Sequence, residues 1–312
     1  MTPPSSDPLR VASADQPWYA MGPHTLHLLT DGHYRSDAGT FFGLVPKEMW
    51  SRRVHADEAN RMRVALHCLL IVTPAGLVLV DTGMGAKLRA DEKLAGVWRP
   101  SRRSLLLDSL ARAGYRADDV GTVVFTHLHA DHAGGATYRD EDNQLMPTFP
   151  RARHVVQRAE WAAALDPPVI GRGSYYPDNY LPLEHHGVLD LIDGDVEVAP
   201  GVRTIVTAGH TPGHQMIAVE GGGERALYMG DLVCTTHHLK PAWNTSFDLE
   251  PLRVIEQKQR ALTAALEQGW LLIWDHDSAV GMGRLRTDGS VEMVVPGTIA
   301  EDIADDRVTG AA

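Results

Sequence analysis

The sequence predicts a layered α/β fold that forms a single domain. Three observations predict it: apolar segments of strand character alternate with helical segments, the composition is that of a globular protein, and no linker interrupts the chain. Of the 312 residues, 44% are apolar and 22% are charged, which excludes a disordered or fibrous chain. We expect one domain over residues 17–312, after a polar and flexible tail over residues 1–16.

The first predicted element is a β-hairpin. Residues 64–72 and 77–80 are apolar runs of strand length, and a Thr-Pro-Ala-Gly turn at residues 73–76 joins them. The second strand of the hairpin ends at Asp81. Further short apolar runs predict buried strands at residues 123–125, 155–156, 205–206, 226–229 and 271–274.

Two helices are predicted from their capping residues. Ser101 is the expected N-cap of the first, which has leucines at helical spacing and ends at Gly114. Asp248 is the expected N-cap of the second, which spans about residues 249–268 and has one apolar face. Residues 166–186 are rich in proline and tyrosine and show no periodicity, so a long loop is expected there, as a lid or a subunit contact.

The charge and the cysteine content exclude several classes of partner. With 29 Lys and Arg against 40 Asp and Glu, the net charge of −11 repels nucleic acid and anionic membranes. The two cysteines are too few for a disulfide framework, and neither a signal peptide nor an apolar run of membrane-spanning length is present. We therefore expect a soluble cytoplasmic protein, whose oligomeric state is left open, with a homodimer as one arrangement.

The most informative segment is a cluster of histidines directly after the strand at residues 123–125. It reads Thr-His-Leu-His-Ala-Asp-His-Ala-Gly-Gly over residues 126–135. Because alternate residues of an extended chain point to the same side, His127 and His129 share one direction, whereas Asp131 and His132 turn towards a second point. This arrangement can serve two metal ions.

Three later segments add ligands of the same kind, each at the end of a predicted strand. Residues 208–214 read Ala-Gly-His-Thr-Pro-Gly-His, residues 228–231 read Tyr-Met-Gly-Asp, and residues 274–277 read Trp-Asp-His-Asp. Imidazole and carboxylate groups are common ligands of zinc. Rigid strand ends hold such groups more accurately than loops alone, so the pattern predicts a preorganised metal centre at one edge of the sheets.

These motifs resemble those of the metallo-β-lactamase superfamily, whose signature is an H-x-H-x-D-H segment, a later G-H-T-x-G-H, an Asp and a final His. The resemblance covers about residues 66–277 and implies the four-layer αβ/βα sandwich of that family. It also implies seven metal ligands: three for one ion, three for a second ion and one that bridges them. They are His127, His129 and His210; Asp131, His132 and His276; and Asp231. His214 lies outside this set, and Asp81 is implied to orient the ligand loop.

Residues 41–50, together with Thr236, His238, Trp243 and residues 247–248, are similar to a branch of the superfamily, the YtnP-type lactonases that open N-acyl homoserine lactones in quorum quenching. That branch implies a lactone or ester substrate and an apolar wall for its acyl chain. Candidates for this wall are Phe41, Phe42, Trp50 and Trp243. Better-known lactonases carry a substrate-contacting Tyr where this chain has Cys234, so that contact must come from elsewhere.

The expected chemistry is hydrolysis without a nucleophilic side chain. Five neutral imidazoles and two carboxylates leave a pair of divalent ions with a net positive charge, which favours a bridging hydroxide. That hydroxide would attack the lactone carbonyl, with Asp131 as a catalytic proton carrier. Zinc is the first choice of metal, but the ligands also suit Mn, Fe or Co.

Other functions fit the same residues. A phosphotriesterase or arylesterase would use the same pair of ions. Sulfur dioxygenases with one iron and flavodiiron redox proteins share the implied fold. A binding protein without catalytic activity is a third alternative on this fold. Metal stoichiometry and oxygen uptake distinguish these alternatives.

Overall fold

Two mixed β-sheets, packed face to face with helices on both outer sides, make up the computed structural model, which describes residues 17–298. The predicted flexible tail over residues 1–16 and the last residues of the predicted domain, 299–312, lie outside this range. The four layers of helices, sheet, sheet and helices confirm the predicted α/β sandwich.

Seven strands form each main sheet. The first sheet has the order β1-β2-β3-β4-β5-β8-β9, the second has the order β10 to β16 in sequence, and β6 pairs with β7 in a separate ribbon. The strands are β1 Trp18–Met21, β2 His24–Asp37, β3 Arg61–Thr73, β4 Gly76–Val80, β5 Val120–Val124, β6 Thr137–Arg139, β7 Leu145–Pro147, β8 Arg153–Gln157, β9 Leu189–Ile192, β10 Glu197–Ala199, β11 Val202–Val206, β12 Gln215–Gly221, β13 Glu224–Tyr228, β14 Leu271–Ile273, β15 Val280–Leu285 and β16 Val291–Pro296.

The helices are short except for the last one. They are α1 Ala38–Phe42, α2 Lys47–Trp50, α3 Gly85–Ala90, α4 Glu92–Trp98, α5 Leu106–Arg112, α6 Ala130–Ala133, α7 Arg158–Leu165, α8 Leu181–His185 and α9 Pro251–Gln268. In the part of the chain that the structure describes, none of them combines the length and apolar character needed to cross a bilayer.

The central core lies between the two sheets. Alternate residues of the strands face it, among them Leu69 and Val80 of the first sheet and Ile217 and Ile273 of the second, all buried. Helices α5, α7 and α8 cover the outer face of the first sheet, and α9 covers the outer face of the second. Because both sheets are covered on both faces, their strand ends are held rigidly, and the loops at those ends are the natural place for a site.

The predicted hairpin is present as β3 and β4, which pair from Leu69–Val80 to Thr73–Gly76. The prediction that Ser101 caps a helix is wrong. Helix α5 begins at Leu106, and the buried carboxylate of Asp31 accepts the N–H groups of Leu105 and Leu106 at 3.0 and 3.3 Å. A distant strand thus supplies the cap, which no local pattern could indicate.

The prediction for Asp248 is also wrong. Helix α9 begins at Pro251, after Glu250 as the N-cap, because proline fixes the φ angle of the first helical turn. Residues 166–186 were expected to form a loop without regular structure, but they contain α8 and bury Tyr175 and Tyr180 against the first sheet. The contacts that bury these two tyrosines are with residues distant in the sequence, so they leave no periodic pattern in residues 166–186.

Candidate metal centre

The four predicted ligand segments meet at one edge of the sandwich. Strands β11, β13 and β14 run in the same direction, since β11 and β13 both pair antiparallel with β12 and β14 pairs parallel with β13. The segments after these three strands therefore leave the second sheet at the same edge. The segment after β5 of the first sheet meets them there and brings all seven predicted ligands close together.

Three histidines and Asp231 form the first cluster. The Nε2 atom of His210 lies 3.0 Å from Asp231 Oδ2 and 3.2 Å from His129 Nδ1, and His127 Nε2 lies 3.9 Å from the same carboxylate oxygen. All three imidazoles are buried. Their ligand atoms lie within 4.8 Å of one another, which is close enough for a single ion to contact all four groups.

The second cluster uses the other oxygen of Asp231. Asp231 Oδ1 lies 3.1 Å from His276 Nε2 and 3.6 Å from His132 Nε2. One carboxylate therefore faces both clusters with separate oxygen atoms. This is the geometry that a bridging ligand between two ions requires.

Two aspartates lie beside the second cluster. The carboxylate of Asp131 is 3.6 Å from His276 Nε2 and 3.9 Å from His132 Nε2, so it faces the same nitrogen of both rings. Asp275 is also within reach, 3.9 Å from His276 Nε2, but it approaches His132 from Nδ1, which already contacts Asp81. Asp131 thus faces Nε2 of both rings, whereas Asp275 faces Nε2 of one ring and Nδ1 of the other. Asp275 belongs to one of the predicted ligand segments, but the ligand set implied by the family resemblance did not include it.

The polar atoms at the centre of both clusters fit a pair of cations. Among the buried atoms without any hydrogen-bond partner are His127 Nε2, His132 Nε2, His276 Nε2, Asp231 Oδ1 and both oxygens of Asp275. Leaving such atoms unpaired in a folded protein costs free energy, and here they converge on two points. An ion at each point would satisfy them.

Burial and the nearby carboxylates determine which histidines of the first cluster are protonated. Burial lowers the pKa values of His127 and His129 well below the usual value, so both are neutral and offer a lone pair. Burial also acts on His210, but the carboxylates of Asp231 and Asp248 outweigh it and raise its pKa to about 10. The cluster has an excess of negative charge, which a divalent cation would balance in place of a proton.

The histidines of the clusters are fixed by partners on their second nitrogen. Asp81 Oδ2 lies 2.9 Å from His132 Nδ1, and its other oxygen accepts the Thr126 N–H at 2.8 Å, so Asp81 orients the ligand loop as predicted. Asp248 Oδ1 lies 2.8 Å from His210 Nδ1. Asp248 therefore contacts a histidine of the first cluster instead of capping a helix as expected. Such partners set the tautomer and the orientation of a metal-binding imidazole.

His214 lies outside both clusters, as predicted. Its Nε2 accepts the N–H of Asp231 at 3.0 Å, and its Nδ1 contacts the Thr207 hydroxyl at 2.7 Å. Gly230, at φ +50°, allows this approach, because a Cβ there would lie 2.8 Å from His214 Nε2. His214 thus holds the backbone of the residue shared by the two clusters.

Glu160 contacts two of the ligand loops, and the sequence motifs did not indicate it. Its buried carboxylate accepts the Leu128 N–H at 3.0 Å and the Tyr175 hydroxyl at 2.9 Å. On the other side it accepts the Thr211 hydroxyl at 2.6 Å and the Gly213 N–H at 3.2 Å. It therefore joins the ligand loop after β5 to the ligand loop after β11. A glutamate in the first turn of a helix gives no signal of such a role.

Replacing Glu160 by glutamine is expected to weaken metal binding and hydrolysis about 10- to 100-fold, because the amide NH₂ would face a backbone N–H, of Leu128 or Gly213, that can only donate. Metal content and kcat/KM of the purified variant measure the effect. Glu184→Gln, which changes an exposed glutamate of α8, is the matched control and is expected to behave as the wild type. Equal behaviour of the two variants would show that Glu160 does not hold the loops.

A cavity of about 420 Å³ opens above the clusters. His129, Asp131 and Asp231 line its floor, and Tyr34, Phe41, Trp98 and Phe247 line its walls. Of the four aromatic residues predicted as an apolar wall, only Phe41 lines this cavity. Phe42, Trp50 and Trp243 pack on one another in the adjoining core, where Phe42 stacks on Trp50 at 5.5 Å between ring centres.

Comparisons with known proteins agree with this geometry. The profile of the metallo-beta-lactamase superfamily matches residues 63–268. The chain therefore belongs to this superfamily.

Over 167 residues the chain is 33% identical to the N-acyl homoserine lactonase AiiA of Bacillus thuringiensis subsp. kurstaki; the match covers 51% of this chain and 60% of that protein. The chain thus spans less than two thirds of the curated relatives it matches. A probable metal-dependent hydrolase from Staphylococcus aureus has a similar structure, with a TM-score of 0.81 at 29% identity, covering 88% of this chain and 98% of that one. A structure of a B. thuringiensis AiiA mutant with N-decanoyl-L-homoserine at the active site has a TM-score of 0.65 at 25% identity, covering 83% and 94%.

Proposed function

We propose that this protein is a metal-dependent hydrolase that opens lactone rings, with N-acyl homoserine lactones as the substrate class. The observation that carries the proposal is the pair of imidazole and carboxylate clusters that share Asp231 on the floor of a partly apolar cavity. The lactonase name of the Bacillus relatives supports the choice of substrate. Quorum quenching would be the biological consequence.

The proposed ligands are those that the sequence predicted. His127, His129 and His210 would hold one divalent ion, and Asp131, His132 and His276 would hold the other, with Asp231 shared between them. Ions at these points would lower the pKa of a bound water and polarise a carbonyl group, which is the chemistry that hydrolysis of an unactivated lactone needs. Nitrogen and oxygen ligands without thiolate suit zinc first, and Mn, Fe or Co also.

The side chains of the cavity would orient the substrate. Phe41, Trp98 and Phe247 offer an apolar wall on which an acyl chain can pack, while Asp131 and Asp231 lie on the floor where the lactone ring would react. When the ring opens, the leaving oxygen needs a proton. The carboxylate of Asp131, at the border between cluster and cavity, would carry that proton from the newly formed carboxylic acid to the ring oxygen, which leaves a hydroxy carboxylate as the product.

A substrate panel tests this proposal. The purified full chain is assayed with N-hexanoyl and N-decanoyl homoserine lactone, a phosphotriester and an aryl ester, before and after removal of metal by a chelator. We expect the lactones to have the highest kcat/KM, activity to vanish on chelation, and Zn, Mn, Fe or Co to restore it. Higher kcat/KM for the phosphotriester or the aryl ester would reassign the substrate class. Oxygen uptake with a sulfur substrate and one iron per chain would contradict a hydrolase.

A further inference from the structure

We propose that Tyr34 is a further catalytic residue, whose phenol donates a hydrogen bond to the ring oxygen of the substrate while the C–O bond breaks. This inference rests on the proposed lactone hydrolysis. It concerns a residue of strand β2, about 90 positions before the histidine motif in the sequence, that none of the motifs includes.

The position of the Tyr34 hydroxyl supports this role. It lies 2.9 Å from Asp131 Oδ2, and that oxygen is 3.6 Å from His276 Nε2. The phenol is therefore at the second cluster, on the side of the carboxylate that faces the cavity. Tyr34 also lines the cavity, so a bound substrate would lie next to it.

The ring of Tyr34 is held in place by its neighbours. Its centre lies 5.3 Å from the ring of Trp98 and 6.2 Å from that of His276, which is nearly perpendicular to it. The side chain is buried except where it meets the cavity. Because the ring is already fixed, only the O–H bond has to turn when charge develops on the substrate, and such a small reorganisation favours electrostatic catalysis.

Three other hydroxyl and thiol groups at or near the cavity are engaged elsewhere, and the serine hydroxyls that also line it belong to Ser36 and Ser174. The Cys234 thiol is buried and points to the carbonyl oxygen of Asp231 at 3.8 Å. The hydroxyls of Thr40 and Thr245, which also line the cavity, donate to the Asp37 carbonyl and to Asp248. Among the cavity-lining residues that the structure describes, Tyr34 is the only tyrosine, and its donor is at the second cluster.

The hydrogen bond to Asp131 explains how the phenol would act late in the reaction. In the free protein the donor is satisfied by the carboxylate. As the ring C–O bond breaks, negative charge grows on the leaving oxygen, and the phenol would turn to that stronger acceptor. Since the gain is made in the transition state rather than in the bound substrate, the contribution is expected in kcat and not in KM.

The test is Tyr34→Phe, which keeps the ring and removes the hydroxyl. We expect kcat for an N-acyl homoserine lactone to fall about 100-fold with KM within about twofold and metal content unchanged. For a 4-nitrophenyl ester, whose leaving group is already a stable anion, we expect a loss of less than about fivefold. The matched control is Tyr180→Phe, because the Tyr180 hydroxyl is bonded to the Ala164 carbonyl in the outer core; it is expected to retain the wild-type activity on both substrates.

Three results would overturn the inference. An equal loss of activity on both substrates would place the effect on the cluster and not on the leaving oxygen. A loss of bound metal in Tyr34→Phe would show a purely structural role through Asp131. Wild-type lactone hydrolysis by the variant would exclude the contact while leaving the proposed function intact. If the wild-type protein opens no lactone at all, the proposed function fails first, and this inference fails with it.

Discussion

Alanine at His127 or His210 is expected to lower the hydrolysis rate by at least about 10³-fold and to reduce the bound metal. Both imidazoles face the same oxygen of Asp231, at 3.9 and 3.0 Å, from different strand ends. Removing either would leave a bound ion with too few protein ligands, and the loss of that ion would remove the activation of water and the polarisation of the carbonyl group that we propose. Elemental analysis and steady-state kinetics on the purified variants measure the two effects.

His185→Ala is the matched control for these variants. His185 is an exposed histidine of α8 that belongs to neither cluster, so metal content and kcat/KM are expected to stay at the wild-type values. Normal turnover by either His127→Ala or His210→Ala would show that the first cluster is not the site of hydrolysis.

The second large effect is expected from Asp131, and a paired comparison with Asp275 isolates it. Asp131→Asn should lower kcat/KM by about 10²- to 10³-fold and weaken binding of the second ion, because the amide keeps the shape but removes the charge that faces both Nε2 atoms. Asp275→Asn should change kcat/KM by less than about fivefold. Asp275 approaches His132 from Nδ1, which already contacts Asp81, so its carboxylate is not expected to be a ligand of the second ion.

Metal titration of both variants, followed by activity at saturating metal, distinguishes these expectations. If Asp275→Asn loses the second ion and Asp131→Asn retains it, the ligand is Asp275, which is also within 4.8 Å of the cluster atoms. In that case Asp131 would act on the proton alone.

Much of this architecture could be predicted because local patterns carry it. The apolar runs at residues 64–72 and 77–80 have strand length and flank a Pro/Gly turn, which favours buried strands, and they form the hairpin of β3 and β4. The spacing of His127 and His129 sets their common direction through the alternation of an extended chain. The remaining ligand segments could also be located from the sequence, because each one directly follows an apolar run that predicts a strand.

The rest depends on contacts between residues that are far apart in the sequence. Asp31 caps α5 from another strand, and Glu160 joins two ligand loops through four hydrogen bonds. Tyr34 reaches Asp131 across 97 positions of the chain. A single buried acid or tyrosine looks the same in the sequence as any other, so only the folded geometry reveals these contacts.

The most direct test of the metal centre is to locate the ions. Elemental analysis of the purified chain, combined with anomalous diffraction from its crystals, should give two divalent ions per chain. One is expected beside His127, His129 and His210 and the other beside His132 and His276, with the Asp231 carboxylate between them. A single ion, or ions bound away from Asp231, would contradict the account.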